Sequence, residues 1–381
     1  MFAPIRTLIA IRRGAPVALI VGAASVSFMF AATPFLIPEV AGRFGVGLGT
    51  AGLISSTQVF GFAGSVFLAG RRLSPSRRLL VSAALSAVVL DAGSALVSSF
   101  PALLALRLGA GVAAGLLTWL AWADAMKSLH SMRDIAAVGP LTVAVGAPLL
   151  GWIGSVGGDR ALYLALALSM IVPALVPVRF DTQPMRGRRS MSPSRSNVVL
   201  LGALGLLTLS GSALFVFLGA FADREVGLTA VALSLGFSVN ALAGLIAARL
   251  QWRPRNAWPW LVLVAASATS IVVLPDPAVF YVGMFGWGLA FWISVPRVLG
   301  RVAEWSLAPE ERVGDAQSVM ALGRAGGPAI GAALVGPGHF EGLAIFAGAG
   351  LLSTAGVVAA VERYRRGKTG PTSGHNLPGG E

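Results

Sequence analysis

The sequence predicts an all-α membrane protein of twelve transmembrane helices, arranged as two six-helix halves related by an internal parallel repeat. Three observations carry that fold class. The 381-residue chain is 55% hydrophobic and only 12% charged, against roughly 25% charged in soluble domains. With a mean hydropathy of +0.78, it needs lipid as the solvent for much of its surface. Twelve apolar stretches have the length of a bilayer crossing. Finally, Gly146-Ala147-Pro148-Leu149-Leu150-Gly151 recurs as Gly326-Gly327-Pro328-Ala329-Ile330-Gly331, an offset of 180 residues. The same offset carries Val46-Gly47-Leu48 onto Val226-Gly227-Leu228, and Gly64 onto Gly244. One fixed spacing for several matches is the mark of a duplicated structural unit, and parallel repeats build several transporter folds.

The spans follow in order. The first, 16–38, comes after a basic cytoplasmic segment, 1–13, with no signal-peptide cleavage site between them, so it reads as an uncleaved anchor. The spans 49–69 and 79–99 flank an arginine-rich loop. The fourth, 101–123, is reached by the short connector 98–101, and 135–156 and 161–178 are joined by 157–160. Such short connectors make consecutive spans antiparallel neighbours. Together 14–179 form the first half. An Arg-, Ser- and Pro-rich cytoplasmic linker, 180–197, leads to the second half, 198–361, with spans 198–221, 229–248, 258–275, 278–299, 313–336 and 340–361. Each span is about 18–24 residues, enough for a hydrocarbon core of roughly 30 Å. The tail 362–381, rich in Gly, Pro, Ser and Thr, is expected to be disordered.

The net charge of +13 does not mark a nucleic-acid binder, because the basic residues sit at span ends and not along one aromatic-interleaved face. With the N-terminus inside, the inner loops collect Arg6, Arg12, Arg13, Arg71, Arg72, Arg77, Arg78, Lys127, Arg133, the linker arginines, Arg249, Arg253, Arg255, Arg301, Arg312 and the tail cations. Only Arg43, Arg160 and Arg224 fall outside. The positive-inside rule then places both termini in the cytoplasm of a multi-pass plasma-membrane protein.

No enzyme is expected. There is no cysteine, and two of the three histidines, His339 and His375, lie in a loop and in the tail, so neither a metal site nor a haem site is expected. No intramembrane histidine could serve a serine as base, and no glycine-rich segment ends in the Gly-Lys-Ser/Thr of a phosphate loop. No cofactor is implied. The expected partners are a small-molecule substrate, protons and the lipid bilayer, and the chain is expected to be monomeric.

Several motifs resemble those of the major facilitator superfamily. Arg107, Gly111 and Gly115 reproduce its Arg-x-x-x-Gly-x-x-x-Gly pattern on one face of the fourth span. The fifth span carries Gly146-Ala147-Pro148-x-x-Gly151, similar to the Gly-Pro element of the antiporter branches, and the eleventh carries Gly323-x-x-x-Gly327-Pro328-x-x-Gly331. The loop after the second span keeps the family's opening Gly70 and closing Arg77-Arg78, with Ser74 at the acidic position and no second glycine. The resemblance covers 14–361 and implies a secondary active transporter, of the proton-coupled drug or metabolite efflux kind, working by alternating access. Uptake or facilitated transport of a small organic anion is the alternative. Gly111, Gly115, Gly146, Pro148, Gly151, Gly323, Gly327, Pro328 and Gly331 are then hinge or sliding-contact positions, since small residues let membrane helices approach closely and proline loosens the helix ladder.

Intramembrane charges are costly and usually functional. Arg107 lies roughly 9 Å, and Asp91 roughly 12 Å, from the outer membrane edge by helical rise. Opposite charges at similar depth on neighbouring helices are expected to pair, or to compete for a proton and a substrate, and Asp91 is the candidate proton carrier. Arg324 lies roughly 18 Å deep, mid-bilayer, where a substrate anion is one natural ligand; an internal counter-ion such as Asp91 is the other. The expectation is that Arg107 and Arg324 face one central cavity. Gln58 and Asn240 are isolated amides that could bind a solute or join helices. Trp119 and Trp287 could line a cavity for a flat apolar solute. At the 180-residue offset Arg107 meets Trp287, Asp91 meets Ile271 and Arg324 meets Ala144, so the deep charges do not follow the duplication.

Overall fold

The computed structural model describes residues 15–125, 129–178, 180, 194–249, 255–306, 309–335 and 340–368. The segment 1–13, most of the linker and the tail beyond Lys368 lie outside the described residues. Among the described residues, eleven helices of 16 residues or more account for the fold. They are α1 (Val17–Phe44), α2 (Leu48–Arg72), α3 (Arg77–Leu96), α4 (Phe100–Ala125), α5 (Leu129–Leu175), α6 (Arg195–Phe215), α7 (Ala230–Arg249), α8 (Trp258–Val273), α9 (Pro277–Glu304), α10 (Pro309–Leu334) and α11 (Glu341–Lys368).

The expected count of twelve is thus not met element for element. The fifth and sixth expected spans run together in α5, whose helical path breaks only at Gly158 (φ 61°, ψ −157°), a conformation that asks for glycine. No polar loop long enough to end a helix separates the two arms, 129–157 and 159–175. Nine helices among the described residues are long and apolar enough to cross a membrane. α8 is too short for that measure, and α10 carries Glu310, Glu311, Arg312, Asp315 and Arg324.

Helix ends are set by local chemistry. Ser76 and Ser194 accept the backbone N–H of Leu79 and Asn197, and Asp276, followed by Pro277, accepts those of Ala278 and Val279. α1 runs past its expected end through Pro34 and Pro38 and stops at Gly45, in the left-handed region (φ 62°), whose N–H reaches the Ala41 carbonyl. α6 loosens after Phe215, continues through the short helix Leu218–Phe221 and a π turn Ala222–Val226, and stops at left-handed Gly227 (φ 71°). The sequence repeat pairs Gly227 with Gly47, but the helix-ending glycine of the first copy is Gly45. α11 continues to Lys368 because the arginines after Val361 are good helix formers.

α1 packs on α5, α2 on α4, and α3 on α4 and α5; α6 packs on α10 and α11, α7 on α9, and α8 on α9 and α11. The two largest contacts between the earlier and the later helices are α2 with α10 and α5 with α7, and α1 also meets the short helix Leu218–Phe221. α1 is buried on all sides from Ala32 to Ile37.

Candidate functional site

The capped helix α3 ends in a polar cluster that no exposed surface reaches. Asp91 and Ser94 are one helical turn apart and so share a face, which α3 turns toward α4. There Arg107 places Nη2 2.6 Å from Asp91 Oδ1 and 2.7 Å from Ser94 Oγ, and Nε 3.1 Å from the same hydroxyl. Nη1 donates to Gln58 Oε1 of α2 at 3.4 Å, and Nη2 also to the Leu90 carbonyl at 3.3 Å. The guanidinium lies 4.7 Å from the ring centroid of Tyr163, on the second arm of α5. The side chains of Arg107 and Asp91 are 1% and 0% exposed. A buried ion pair survives only where hydrogen bonds replace lost hydration, and Arg107 meets that condition with five acceptor contacts and a ring. Asp91 does not: its Oδ2, like the Tyr163 hydroxyl, has no hydrogen-bond partner.

Ser94 also ties this cluster to the end of the helix. Its carbonyl, with those of Ala95 and Val97, accepts from Arg43 at the end of α1, so one guanidinium caps the last carbonyls of α3. Arg43 Nη1 is also 2.7 Å from Asp159 Oδ2, just after the break at Gly158. Sequence reasoning missed Ser94, Tyr163 and the Arg43–Asp159 pair. The three-residue spacing of Asp91 and Ser94 was a legible signal for the first; Tyr163 gave none.

Arg324 stands apart. It is exposed although mid-helix, and among the described residues no carboxylate pairs with it. The apolar exposed residues of α10, Leu322, Ala329 and Ala333, mark its lipid face. At 3.6 residues per turn Arg324 is turned roughly 150° from them. On its own face the more distant Pro328 and Val335 are buried, whereas Gln317, toward Pro309, is exposed. One turn away in either direction on that face, Met320 and Pro328 are both buried. The expectation of one cavity shared by Arg107 and Arg324 fails, because Arg107 is sealed among helices.

The amides divide likewise. Gln58 is 4% exposed and belongs to the Arg107 cluster. Asn240, half-buried, donates to the Met284 carbonyl at 2.9 Å and joins α7 to α9. Trp287 is 5% exposed and ends a ladder of edge-to-face rings, Phe35–Phe237–Phe215–Trp287, with centroids 5.8, 5.2 and 5.5 Å apart. The ladder starts on α1 where that helix is buried all round, so Trp287 is packed. Trp119 is half-buried beside Gly70.

The motif glycines mark close helix contacts. A Cβ on Gly111 would sit 1.9 Å from the Gln58 carbonyl oxygen, and one on Gly115 2.0 Å from Ser65 Oγ, both on α2. Gly323, Gly327 and Gly331 face Thr208, Ser212 and Ala213 of α6 in the same way. Gly146 faces Phe28 of α1, and Gly151 the Ala230 carbonyl of α7, with the prolines half-buried (Pro148) and buried (Pro328) in the same turns.

No family profile matches the sequence. The chain is 28% identical over 339 residues to a chloramphenicol resistance protein of Streptomyces lividans, covering 79% of this chain and 84% of that one. It is 27% identical over 202 residues to a chloramphenicol efflux pump of Mycobacterium tuberculosis, covering 49% of this chain and 48% of that one. Among solved structures, its fold is similar to a bacterial homologue of the human lysosomal transporter Spinster, inward-facing and occupied, with TM-score 0.71, 12% identity and coverage of 97% and 98%. It is also similar to a POT family transporter in complex with a thioalcohol-conjugated peptide, with TM-score 0.71, 12% identity and coverage of 91% and 96%.

Proposed function

We propose that this chain, a membrane transporter of the major facilitator superfamily and not an enzyme, exports a small organic molecule by proton-coupled alternating access. The observation that carries the reading is Arg324: an exposed guanidinium mid-helix, turned away from the lipid-facing residues of α10. A solute that reaches it meets a cation with free donors. Its recognisable part is then an acceptor-rich group, such as a nitro, carbonyl or carboxylate group, on a compact amphipathic body. The chloramphenicol resistance protein and the chloramphenicol efflux pump among the relatives make a chloramphenicol-like nitroaromatic the first solute to test. Uptake of a small organic anion is the second reading, favoured by the lack of any carboxylate paired with Arg324 among the described residues.

Two halves of six spans, with α5 counted as two, are supported by an exchange within the contact pattern. Adding 180 residues carries α2 onto α7 and the first arm of α5 onto α10, so the two crossing contacts, α2–α10 and α5–α7, become each other. Gly288 meets the Asn240 carbonyl much as Gly111 meets that of Gln58, at 2.2 and 1.9 Å for an added Cβ. In this reading the halves rock about those two contacts. Asp91 is the proton carrier: protonating its unpartnered Oδ2 removes the counter-charge of Arg107, whose bonds to Ser94 and Gln58 then bear on both α2 and the Arg43 cap. The arginine distribution favours a cell-membrane protein with cytoplasmic termini, and a monomer suffices for this cycle.

Inverted membrane vesicles with an imposed proton gradient test the reading. Accumulation of chloramphenicol, abolished by an uncoupler, is expected. Accumulation of organic anions only in right-side-out vesicles would replace export with the uptake reading.

A further inference from the structure

The Arg107 cluster leaves two oxygens over. Asp91 Oδ2 and the Tyr163 hydroxyl belong to buried side chains that touch the same guanidinium, and neither oxygen has a hydrogen-bond partner among the described residues. A buried hydroxyl without a partner costs stability. The ring alone supplies the contact with Arg107, so phenylalanine would pack in its place without that cost. Packing thus accounts for the ring of Tyr163 and not for its hydroxyl.

The position of Tyr163 along the bundle supplies a reason for the hydroxyl. At the end that the arginine distribution places outside, Arg43 and Asp159 pair and both keep some exposure. Beside them is the exposed Glu39, whose Oε2 lies 3.2 Å from where a Cβ on Gly158 would sit. Tyr163 follows Asp159 by one helical turn, roughly 6 Å of rise, and shares its face. Arg107 and then Asp91 lie deeper. Both ion pairs act electrostatically on the phenol. α7, which also packs on α5, has its one charged residue, Arg249, at its other end.

We propose that the Tyr163 hydroxyl relays the transported proton from the outer solution to Asp91 Oδ2. This rests on the reading of Asp91 as the proton carrier. A phenol hydroxyl both donates and accepts. Its O–H bond breaks as one forms on Asp91 Oδ2, and the phenol oxygen then takes a proton from a hydronium ion of the outer solution, through water at the level of Asp159. The hydronium becomes water, Asp91 becomes neutral and Tyr163 ends as it began. The order follows from Arg107, whose charge favours a transient phenolate over a doubly protonated phenol.

The test follows Asp91 itself and so needs no solute. Purified full-length protein in detergent receives protons released by a flash from a caged acid, and time-resolved infrared absorption reads the C=O band of the protonated carboxyl. The band is assigned by its loss in Asp91→Asn or, if that variant does not fold, in Asp91→Asn/Arg107→Gln. Tyr163→Phe keeps the ring and removes only the hydroxyl. It is expected to unfold at the wild-type temperature or above, and to slow the rise of the Asp91 band by about tenfold or more. Tyr281→Phe, which removes a phenol that donates to the Ala232 carbonyl, should leave that rate unchanged. An unchanged rate in Tyr163→Phe overturns the relay and leaves Asp91 as the carrier. A Tyr163→Phe protein that unfolds early makes the hydroxyl a structural group and overturns the relay as well. If no band depends on Asp91, the carrier reading itself fails, and the relay falls with it.

Discussion

Arg107 and Asp91 meet at 2.6 Å in a place from which both are excluded from solvent. The arrangement is lopsided, since every guanidinium nitrogen has an acceptor and one carboxylate oxygen is bare. Removing one partner of a buried pair strands the other, at roughly 3–5 kcal/mol, while removing both is far milder. Asp91→Asn should therefore lower the unfolding temperature sharply, and Asp91→Asn/Arg107→Gln should recover much of it. If Asp91 carries the proton, the double variant regains stability without gradient-driven transport. Full gradient-driven transport by Asp91→Asn would remove Asp91 from the coupling step.

Ser94 serves the same cluster through its hydroxyl and the Arg43 cap through its carbonyl. Ser94→Ala deletes only the hydroxyl, so Arg107 Nε loses its acceptor and Nη2 one of three, and about 1–3 kcal/mol of stability should go with them. Asp159→Asn removes the charge from the Arg43 pair, whose side chains are 12% and 8% exposed, but leaves Arg43 its three carbonyl acceptors, so it should cost about 1 kcal/mol. Thermal unfolding of the two variants side by side checks the order. If Asp159→Asn is the more damaging, the outer pair and not the Arg107 cluster holds the end of α3.

The spans, their short connections and the glycine ridges were legible because each is a local property of residue type and spacing. The meeting of Asp91 and Arg107 was legible too, from depth along two neighbouring helices. What the sequence hid is rotation about each helix axis. Depth alone put Arg107 and Arg324 in one cavity, yet one is turned into the contacts of α4 with α2 and α3 and the other toward open space. Trp287 was hidden for the same reason, since its ring closes a ladder with Phe35 from a distant part of the chain. The connector expected at 157–160 was legible too, since the helical path breaks inside it, at Gly158.

Repeat-related glycines are not equivalent in packing, which gives a sharp test. Gly64 and Gly244 match at the 180-residue offset, but a Cβ on Gly64 meets nothing within 4 Å, whereas one on Gly244 would lie 2.4 Å from Trp292 Cδ1. Gly244→Ala should cost about 1–3 kcal/mol by overpacking. Gly64→Ala should be neutral or gain up to about 1 kcal/mol from helix propensity. Gly111→Ala should be worse than either, because the obstacle is the Gln58 backbone and not a ring that can turn. Equal unfolding temperatures for the alanine variants at 64 and 111 would show that α2 and α4 are not in this contact.

Arg324 separates binding from folding. Its side chain faces accessible space and no carboxylate among the described residues depends on it, so Arg324→Gln should leave the unfolding temperature within about 1 °C of wild type, as surface-like substitutions do. Hydrogen bonds to a charged donor are worth about 1.5–3 kcal/mol, which predicts a loss of about tenfold or more in apparent affinity for a solute that uses the guanidinium. Arg324→Lys keeps the charge and loses the fork, so it should rescue a carboxylate solute better than a neutral nitro or carbonyl one. Ligand-induced thermal shift on the three proteins, followed by vesicle transport, reads both effects. An Arg324→Gln variant that unfolds early and still transports normally would make this arginine a structural group, and the solute would then have to be held elsewhere on the faces of α2, α4, α7 and α9.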